Sequence, residues 1–425
     1  MSGISLDSTN LSLEDKKLIK DKLIIFIPSK RKSINNFILK NKIIYLPRSF
    51  GSINFPNSFY FLNKPHNMNS KIIFNGSMRE EQIPVIEEAL NYLKKDNICT
   101  LSLYCGFGKT VVALYIAYQL KVKSVIIVNT IVLMNQWEKE IKTFFNNSIK
   151  ILKCPSSFDS SKKTEDYDFC IINCENLHKY GDSFKNFGLT IMDELHQLIT
   201  KKNIEGLLGL QTKYLLGLSA TPYRPDEFNS QIIHYFGKNI IIKQLKRKHI
   251  VFAIFTGLYF EYDIMKNGKI NWTELLTKQS QCEKRNDLII EIVKKYNNIN
   301  FLILVKRIEQ GKYLEEKLKE FTSVTTLLGK QQNYDESSKV LIGTSSKIGT
   351  GFNSKKINGL ILASDIKEYF IQYLGRIFRD PNTNPVVFDL IDEDDFSILK
   401  NHFYERKMIY NEKGAEIKTY KGVNI

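Results

Sequence analysis

The sequence predicts an α/β protein of two tandem parallel-sheet lobes preceded by a small basic α+β segment. Three observations predict it: strand-length apolar runs alternating with helical patterns, a second such series after a basic stretch, and a different texture in the first sixth of the chain. The first series of apolar runs lies at 98–103, 124–128, 169–172, 189–192 and 214–218. Helical patterns separate them, as at 110–120 and 132–145. Short buried strands alternating with helices read as a mostly parallel sheet covered on both faces. The second series follows the basic stretch 243–248 and includes 301–305, 340–342, 360–363 and 386–390. These shifts set the expected domains at 1–70, 71–240 and 241–425.

The first 70 residues hold eleven Lys/Arg against four Asp/Glu, so +7 of the formal +16 charge lies there. Residues 22–29 and 42–47 read as short strands stopped by Pro28 and Pro47. A short helix is expected at 34–39, and 51–70, rich in Asn, Pro and Ser, reads as a connection. The net charge suits a polyanionic partner, because Lys and Arg on phosphates release counterions. A Lys-, Asn- and Ile-rich composition accounts for it equally well. The length of 425 residues suits two or three domains, and 43% hydrophobic residues suffice for packed cores. No apolar run reaches the ~18 residues of a membrane span, and the first residues lack a signal-peptide pattern. The six cysteines show no framework spacing, so a reducing intracellular compartment, cytoplasmic or nuclear, is expected. Cys170, Cys174 and His178 recur at four-residue steps, but no fourth ligand is near, and Phe169 to Cys174 reads as a buried strand.

The run 98–103 leads into Tyr104-Cys-Gly-Phe-Gly-Lys-Thr110 and then a helix. That is the context a phosphate loop requires. Gly106 and Gly108 let backbone N–H groups curl around phosphate oxygens, and the helix starting near Lys109 points its positive end at them. Lys109 supplies a charge to the β- and γ-oxygens, and Thr110 a hydroxyl for Mg²⁺. Leu103 stands where the strict pattern has glycine. The run 189–192 ends in Asp193-Glu-Leu-His196, which puts two acids at the carboxyl end of a strand, where α/β sheets place their ligands. Asp193 would hold Mg²⁺ through water, and Glu194 would orient and deprotonate the attacking water.

With Gly106-Phe-Gly-Lys-Thr110 and Asp193-Glu-Leu-His196 in this order, the chain resembles a DExH-type superfamily 2 helicase. The resemblance covers about 71–410 and implies two RecA-like lobes with ATP and Mg²⁺ as cofactors. Arg79-Glu-Glu-Gln82 resembles the adenine-recognition element, with Gln82 on the base and Arg79 against it. Cys105, Gly106, Phe107, Gly108, Lys109 and Thr110 then hold the phosphates. Asn135-Gln136-Trp137 is similar to the segment that tracks one nucleic-acid strand, and core packing is the plainer role for Trp137 and Trp272. Leu218-Ser219-Ala-Thr221-Pro-Tyr-Arg224 is similar to the motif coupling hydrolysis to lobe movement, together with His196. Phe301 to Arg307 resembles the first strand of the second lobe. Ile342-Gly-Thr344 and Gly349-Thr-Gly351-Phe-Asn353 resemble the motif that touches strand and nucleotide. Gln372-Tyr-Leu-Gly-Arg376-Ile-Phe-Arg379 resembles the arginine-finger motif. Guanidinium groups there spread the charge developing on the γ-phosphoryl group, and the spacing of three sets Arg376 and Arg379 on one helical face.

The sequence departs from the family pattern in four places. Asn353 replaces a common Asp, Tyr104 a common Pro, and Leu195 the commoner Ala; Asn173 and Cys174 stand where a strand-contacting Ser or Thr is usual. The Gln-Trp element and the Ser-Ala-Thr-Pro-Tyr-Arg run resemble the branch of DNA-duplex motors. That branch includes phage branch-migration, eukaryotic repair and transcription, and poxvirus-type transcript-release helicases. Ile44 to Gly51 and the compact length lean toward the large-DNA-virus versions. The resemblance implies a monomeric DNA helicase moving 3′ to 5′, with transcription or replication proteins as partners. A DExH RNA helicase and a nucleotide-gated binding module stay open as alternatives; no acidic-lysine nuclease cluster is visible.

Overall fold

The computed structural model describes residues 3–27, 31–56, 65–104, 106–155, 163–210, 212–220, 228–265, 268–331, 333–349, 356–367, 370–380 and 382–422. They form two compact units, Met1–Lys243 and Gln244–Ile425.

The first unit opens with five short strands: β1 (Gly3–Asp7), β2 (Ile24–Ile27), β3 (Lys32–Asn35), β4 (Ile38–Lys40) and β5 (Ile43–Pro47). Strands β1, β5 and β4 form an antiparallel sheet, and β2 pairs with β3. No helix forms at 34–39, which corrects the expectation from sequence. Ile34 instead pairs with Ile25 across the β2–β3 hairpin. Asn41 and Lys42, at φ 50° and 66°, turn the chain between β4 and β5. Two residues with positive φ between β-branched runs make a tight hairpin, not a helical turn. The expected connection from 51 onward begins as the end of a helix, Arg48–Asn54.

Buried polar contacts tie this segment to residues between 212 and 235. Asn36 is fully buried; it donates to Gln231 Oε1 at 2.5 Å and accepts from Tyr235 Oη at 2.9 Å. Arg48, 2% exposed, donates to the carbonyls of Thr212 and Lys213. Ile25 and Ile34 add to one of the two cores of the neighbouring large sheet.

That sheet has seven parallel strands: β6 (Ile98–Leu103), β7 (Ser124–Val128), β8 (Ile151–Lys153), β9 (Phe169–Asn173), β10 (Leu189–Asp193), β11 (Tyr214–Ser219) and β12 (Ile240–Lys243). Their order is β12-β6-β11-β10-β7-β9-β8. Side chains alternate between faces, as a period of two requires. Cys99, Leu101 and Leu103 enter one core while Ile98 enters the other; Ile126 and Val128 oppose Val125 and Ile127 in the same way. Both faces are therefore apolar, which is why the strands read as continuous hydrophobic runs. Among the helices, Ile131–Phe144 starts at Thr130, whose hydroxyl accepts the Leu133 N–H at 3.2 Å.

The second unit holds another all-parallel sheet: β13 (His249–Tyr259), β14 (Phe301–Val305), β15 (Val324–Leu327), β16 (Val340–Thr344), β17 (Gly359–Leu362), β18 (Val386–Glu393) and β19 (Ala415–Lys421). The order is β15-β16-β14-β17-β18-β13-β19. Two seven-stranded parallel sheets make this the α/β architecture expected. No described helix is long and apolar enough to cross a membrane.

Helix Ile398–Lys413 is fixed to the second sheet by a buried charge network. Arg406 forks onto both oxygens of Asp389 at 2.8 and 2.9 Å and reaches Asp365 at 3.0 Å. His402 Nδ1 lies 2.6 Å from the other Asp365 oxygen, and Tyr410 donates to Asp389 at 2.9 Å. Burial works to raise the Asp365 carboxyl, but the His402 hydrogen bond and the Arg406 charge hold it below its ordinary 3.8. A depressed carboxyl contributes stability that is present above its ordinary value and lost as pH falls through the folded one. The second unit, followed by hydrogen exchange of its β18 amides, is therefore expected to lose stability as pH falls below 3.8. Asp365→Asn is expected to be less stable at neutral pH and to lose less on acidification; parallel pH profiles for the two proteins would refute this.

Candidate active site

Strand β6 is buried along its whole length and ends at Leu103. The chain then turns through Gly106 and Gly108, at φ 94° and 88°, into helix Lys109–Leu120. A Cβ on Gly108 would sit 2.7 Å from Gln82 Nε2 and 3.1 Å from Val111. The loop is thus closed down on its own neighbours, and only glycine fits there. Residues 79–82 hold it in place: Gln82 Nε2 donates to the Phe107 carbonyl at 2.7 Å, and Arg79 donates to the carbonyls of Gly106 and Phe107. The Arg79 guanidinium lies 5.8 Å from the Phe107 ring centroid. Gln82 Oε1 in turn accepts the backbone N–H of Arg79 at 2.9 Å. Lys109 and Thr110 are half-buried at the helix start, and Lys109 Nζ donates to the Leu103 carbonyl at 3.1 Å.

Across the sheet, β11 lies between β6 and β10, so Ser219 ends the strand separating the phosphate loop from Asp193. Asp193 is 8% exposed. Burial and the neighbouring Glu194 charge push its carboxyl up to about 6; the Trp137 hydrogen bond and the Lys109 charge oppose them. Glu194 has a left-handed backbone, φ 49°, a conformation that costs a non-glycine residue energy and clusters at functional sites. Its Oε2 is buried without a hydrogen bond, with His196 Nδ1 at 3.6 Å. His196 is fully buried, with Nδ1 2.8 Å from Ser219 Oγ and Nε2 3.3 Å from the Gln197 amide nitrogen.

This set fits a magnesium nucleotide. It offers a carboxylate pair, a threonine hydroxyl, a lysine and a glycine loop at a helix start, and one buried carboxylate oxygen has no hydrogen bond. Hard cations take oxygen ligands of this kind.

The other expected residues are spread over both units. Gln136 is half-buried on helix Ile131–Phe144 with Oε1 lacking a hydrogen bond. Trp137 is 1% exposed, and its indole N–H meets Asp193 Oδ2 at 2.8 Å. Its ring therefore packs in the core, beside the carboxylates. Asn129 and Gln197, which the sequence did not single out, bond side chain to side chain beside this pair. In the second unit, Thr344 ends β16, with Oγ1 3.3 Å from Ser346 Oγ. Gln372 and Arg376 are buried on helix Phe370–Ile377. Arg379 lies beyond that helix, so the two arginines do not share one helical face. Cys105, Thr221, Gly351 and Asn353 lie outside the described residues.

The fold and this site fit a nucleotide-binding α/β protein, and comparison with known proteins gives its family. Residues 75–224 match the model of the type III restriction enzyme res subunit. The chain is 37% identical to "Putative helicase 161L" of Invertebrate iridescent virus 6, over 95% of this chain and 96% of that one. It is 30% identical to "Putative helicase 055L" of Frog virus 3, over 81% and 80%. A structure of S. cerevisiae Dbp5 (L327V) bound to RNA and ADP BeF3 shares the fold at TM-score 0.54 and 15% identity, covering 80% of this chain and 89% of that one. The chain belongs to the superfamily 2 helicases of large DNA viruses.

Gly108→Ala must place a Cβ against Gln82 and hold alanine at φ 88°. Strain of that kind is expected to weaken ATP binding by roughly tenfold or more. Titration with a fluorescent ATP analogue measures it, and an unchanged Kd would show that the loop does not hold phosphate.

Proposed function

We propose that this chain is an ATP- and Mg²⁺-dependent DNA helicase or translocase that moves 3′ to 5′ and remodels duplexes in viral transcription, replication or repair. One observation carries the reading: the phosphate loop after β6, Ser219 at the end of β11 and Asp193-Glu194 at the end of β10 converge on adjoining strand ends. Lys109 supplies positive charge beside the transferred phosphoryl group. Glu194, with one buried oxygen lacking a hydrogen bond, is positioned to accept a proton from water. The His196–Ser219 bond links the carboxylate corner to the strand that runs into Ser219-Ala-Thr-Pro. Magnesium, when bound, neutralises charge on the β- and γ-oxygens. The resemblance gives Gln372, Arg376 and Arg379 the arginine-finger role. It supports DNA through the Gln-Trp and Ser-Ala-Thr-Pro-Tyr-Arg elements, and the +16 charge agrees with any polyanion. The protein works in this reading as a monomer in a reducing compartment, cytoplasmic or nuclear, beside transcription or replication proteins.

Strand displacement on DNA and RNA duplexes with 3′ or 5′ tails tests this, with ATPase measured in parallel. Displacement of 3′-tailed DNA with stimulated turnover is expected. Lys109→Ala is expected to fold, to bind nucleic acid, and to lose turnover at least about a hundredfold, the scale for a lost charge stabiliser at a reacting group. Displacement of RNA alone would establish an RNA helicase, and binding without stimulated turnover a nucleotide-gated clamp. An unchanged rate in Lys109→Ala would remove the site assignment.

A further inference from the structure

The Trp137–Asp193 contact is more than packing. The indole N–H donates to Oδ2 at 2.8 Å, while Oδ1 accepts the Glu194 backbone N–H at 3.0 Å. Each carboxylate oxygen thus has one fixed donor, and rotation of the carboxylate breaks both bonds. Of roughly four lone-pair sites on a carboxylate, this leaves about two for other partners. A hydrogen bond to an ionised acceptor inside a protein is about twice as strong as a neutral one. Phenylalanine at 137 would remove the N–H and also leave a small void where the larger indole is buried.

The contact also joins two elements. Asp193 ends β10, and Trp137 lies on the helix Ile131–Phe144 that comes after β7, the neighbouring strand. Asn129, at the β7 end of the same corner, donates to Gln197 Oε1. Residues 129–137 are thereby latched twice to residues 193–197. The first turn of this helix is open to solvent, with Ile131 69% and Val132 42% exposed.

We infer that Trp137 is a positioning residue: its indole N–H orients the Asp193 carboxylate for the magnesium-bound nucleotide and ties that carboxylate to the exposed first turn of helix Ile131–Phe144. This rests on the proposed ATP site. Outer partners that orient metal-binding carboxylates typically contribute 10–100-fold in metal affinity or activity.

Trp137 and Trp272 are the two tryptophans of the chain, so Trp272→Phe leaves Trp137 as the one indole reporter. In that protein, Trp137 emission is expected to change on adding ADP with Mg²⁺ and to stay constant with ADP and EDTA. A second measurement uses Trp137→Phe. The Mg²⁺ concentration for half-maximal ATPase is expected to rise roughly tenfold, with affinity for a fluorescent ADP in EDTA unchanged. A packing role alone would lower stability without raising the magnesium requirement. Protein that binds Mg²⁺·ADP with a silent Trp137, or Trp137→Phe with unaltered magnesium dependence, overturns the inference and leaves the proposed function standing. Wild-type protein that binds no Mg²⁺·ADP overturns both. If Trp137→Phe does not fold, the emission experiment decides alone.

Discussion

The parallel pairing of β6, β11, β10 and β7 is the constraint on which the rest of the first unit depends. Parallel strands buried on both faces leave no polar surface along their length. Chemistry is confined to where the strands stop, and in a parallel sheet several strands stop on the same side. The register sets neighbours: Asp193 stands beside Leu218, and Ser219 beside Ser102. Residues far apart in the chain become partners because the ladder leaves them no other place. His196 meets Ser219 and Trp137 meets Asp193 across single strand spacings.

Such a corner is costly to maintain. Asp193 is buried beside a second acid, and Glu194 holds a left-handed backbone. Both features work against folding and are offset by the apolar cores on the two faces. The tension is typical of sites where charge is kept ready for a ligand. The second unit treats its buried charges differently. Asp389 and Asp365 are each answered directly, by Arg406, His402 and Tyr410. The contrast separates a carboxylate group arranged for stability from one arranged for binding.

The central strands were legible because burial on both faces makes them continuous apolar runs: β6, β7, β10 and β14 lie where those runs lie. The phosphate loop and the carboxylate box were legible because their residue types are tied to backbone positions, glycine at positive φ and acids at a strand end. Edge strands were harder. β8 and β15 are short and β19 is largely exposed, so hydrophobic contrast does not mark them. The hairpin from β2 to β3 was misread because Ile34 is buried by a long-range partner, the core of the large sheet, which no local pattern encodes. The role of Trp137 was hidden for a related reason. A Gln-Trp pair on an amphipathic helix does not say which of its neighbours turns outward, and the acceptor for the indole lies 56 positions further along.

The long reach of the first residues bears on how the chain is made. Asn36 has partners at Gln231 and Tyr235, and Arg48 at Thr212 and Lys213, separations of 164 to 199 positions. During synthesis the first segment leaves the ribosome long before those partners exist. Its hairpin isoleucines, Ile25 and Ile34, have no core to enter until the large sheet has been completed around them. Contacts of such sequence separation close late and slowly, and unburied apolar strands invite pairing with other chains meanwhile. The lysines scattered through 16–42 then gain a second meaning. Charge of that kind on a segment waiting for its sheet disfavours such pairing.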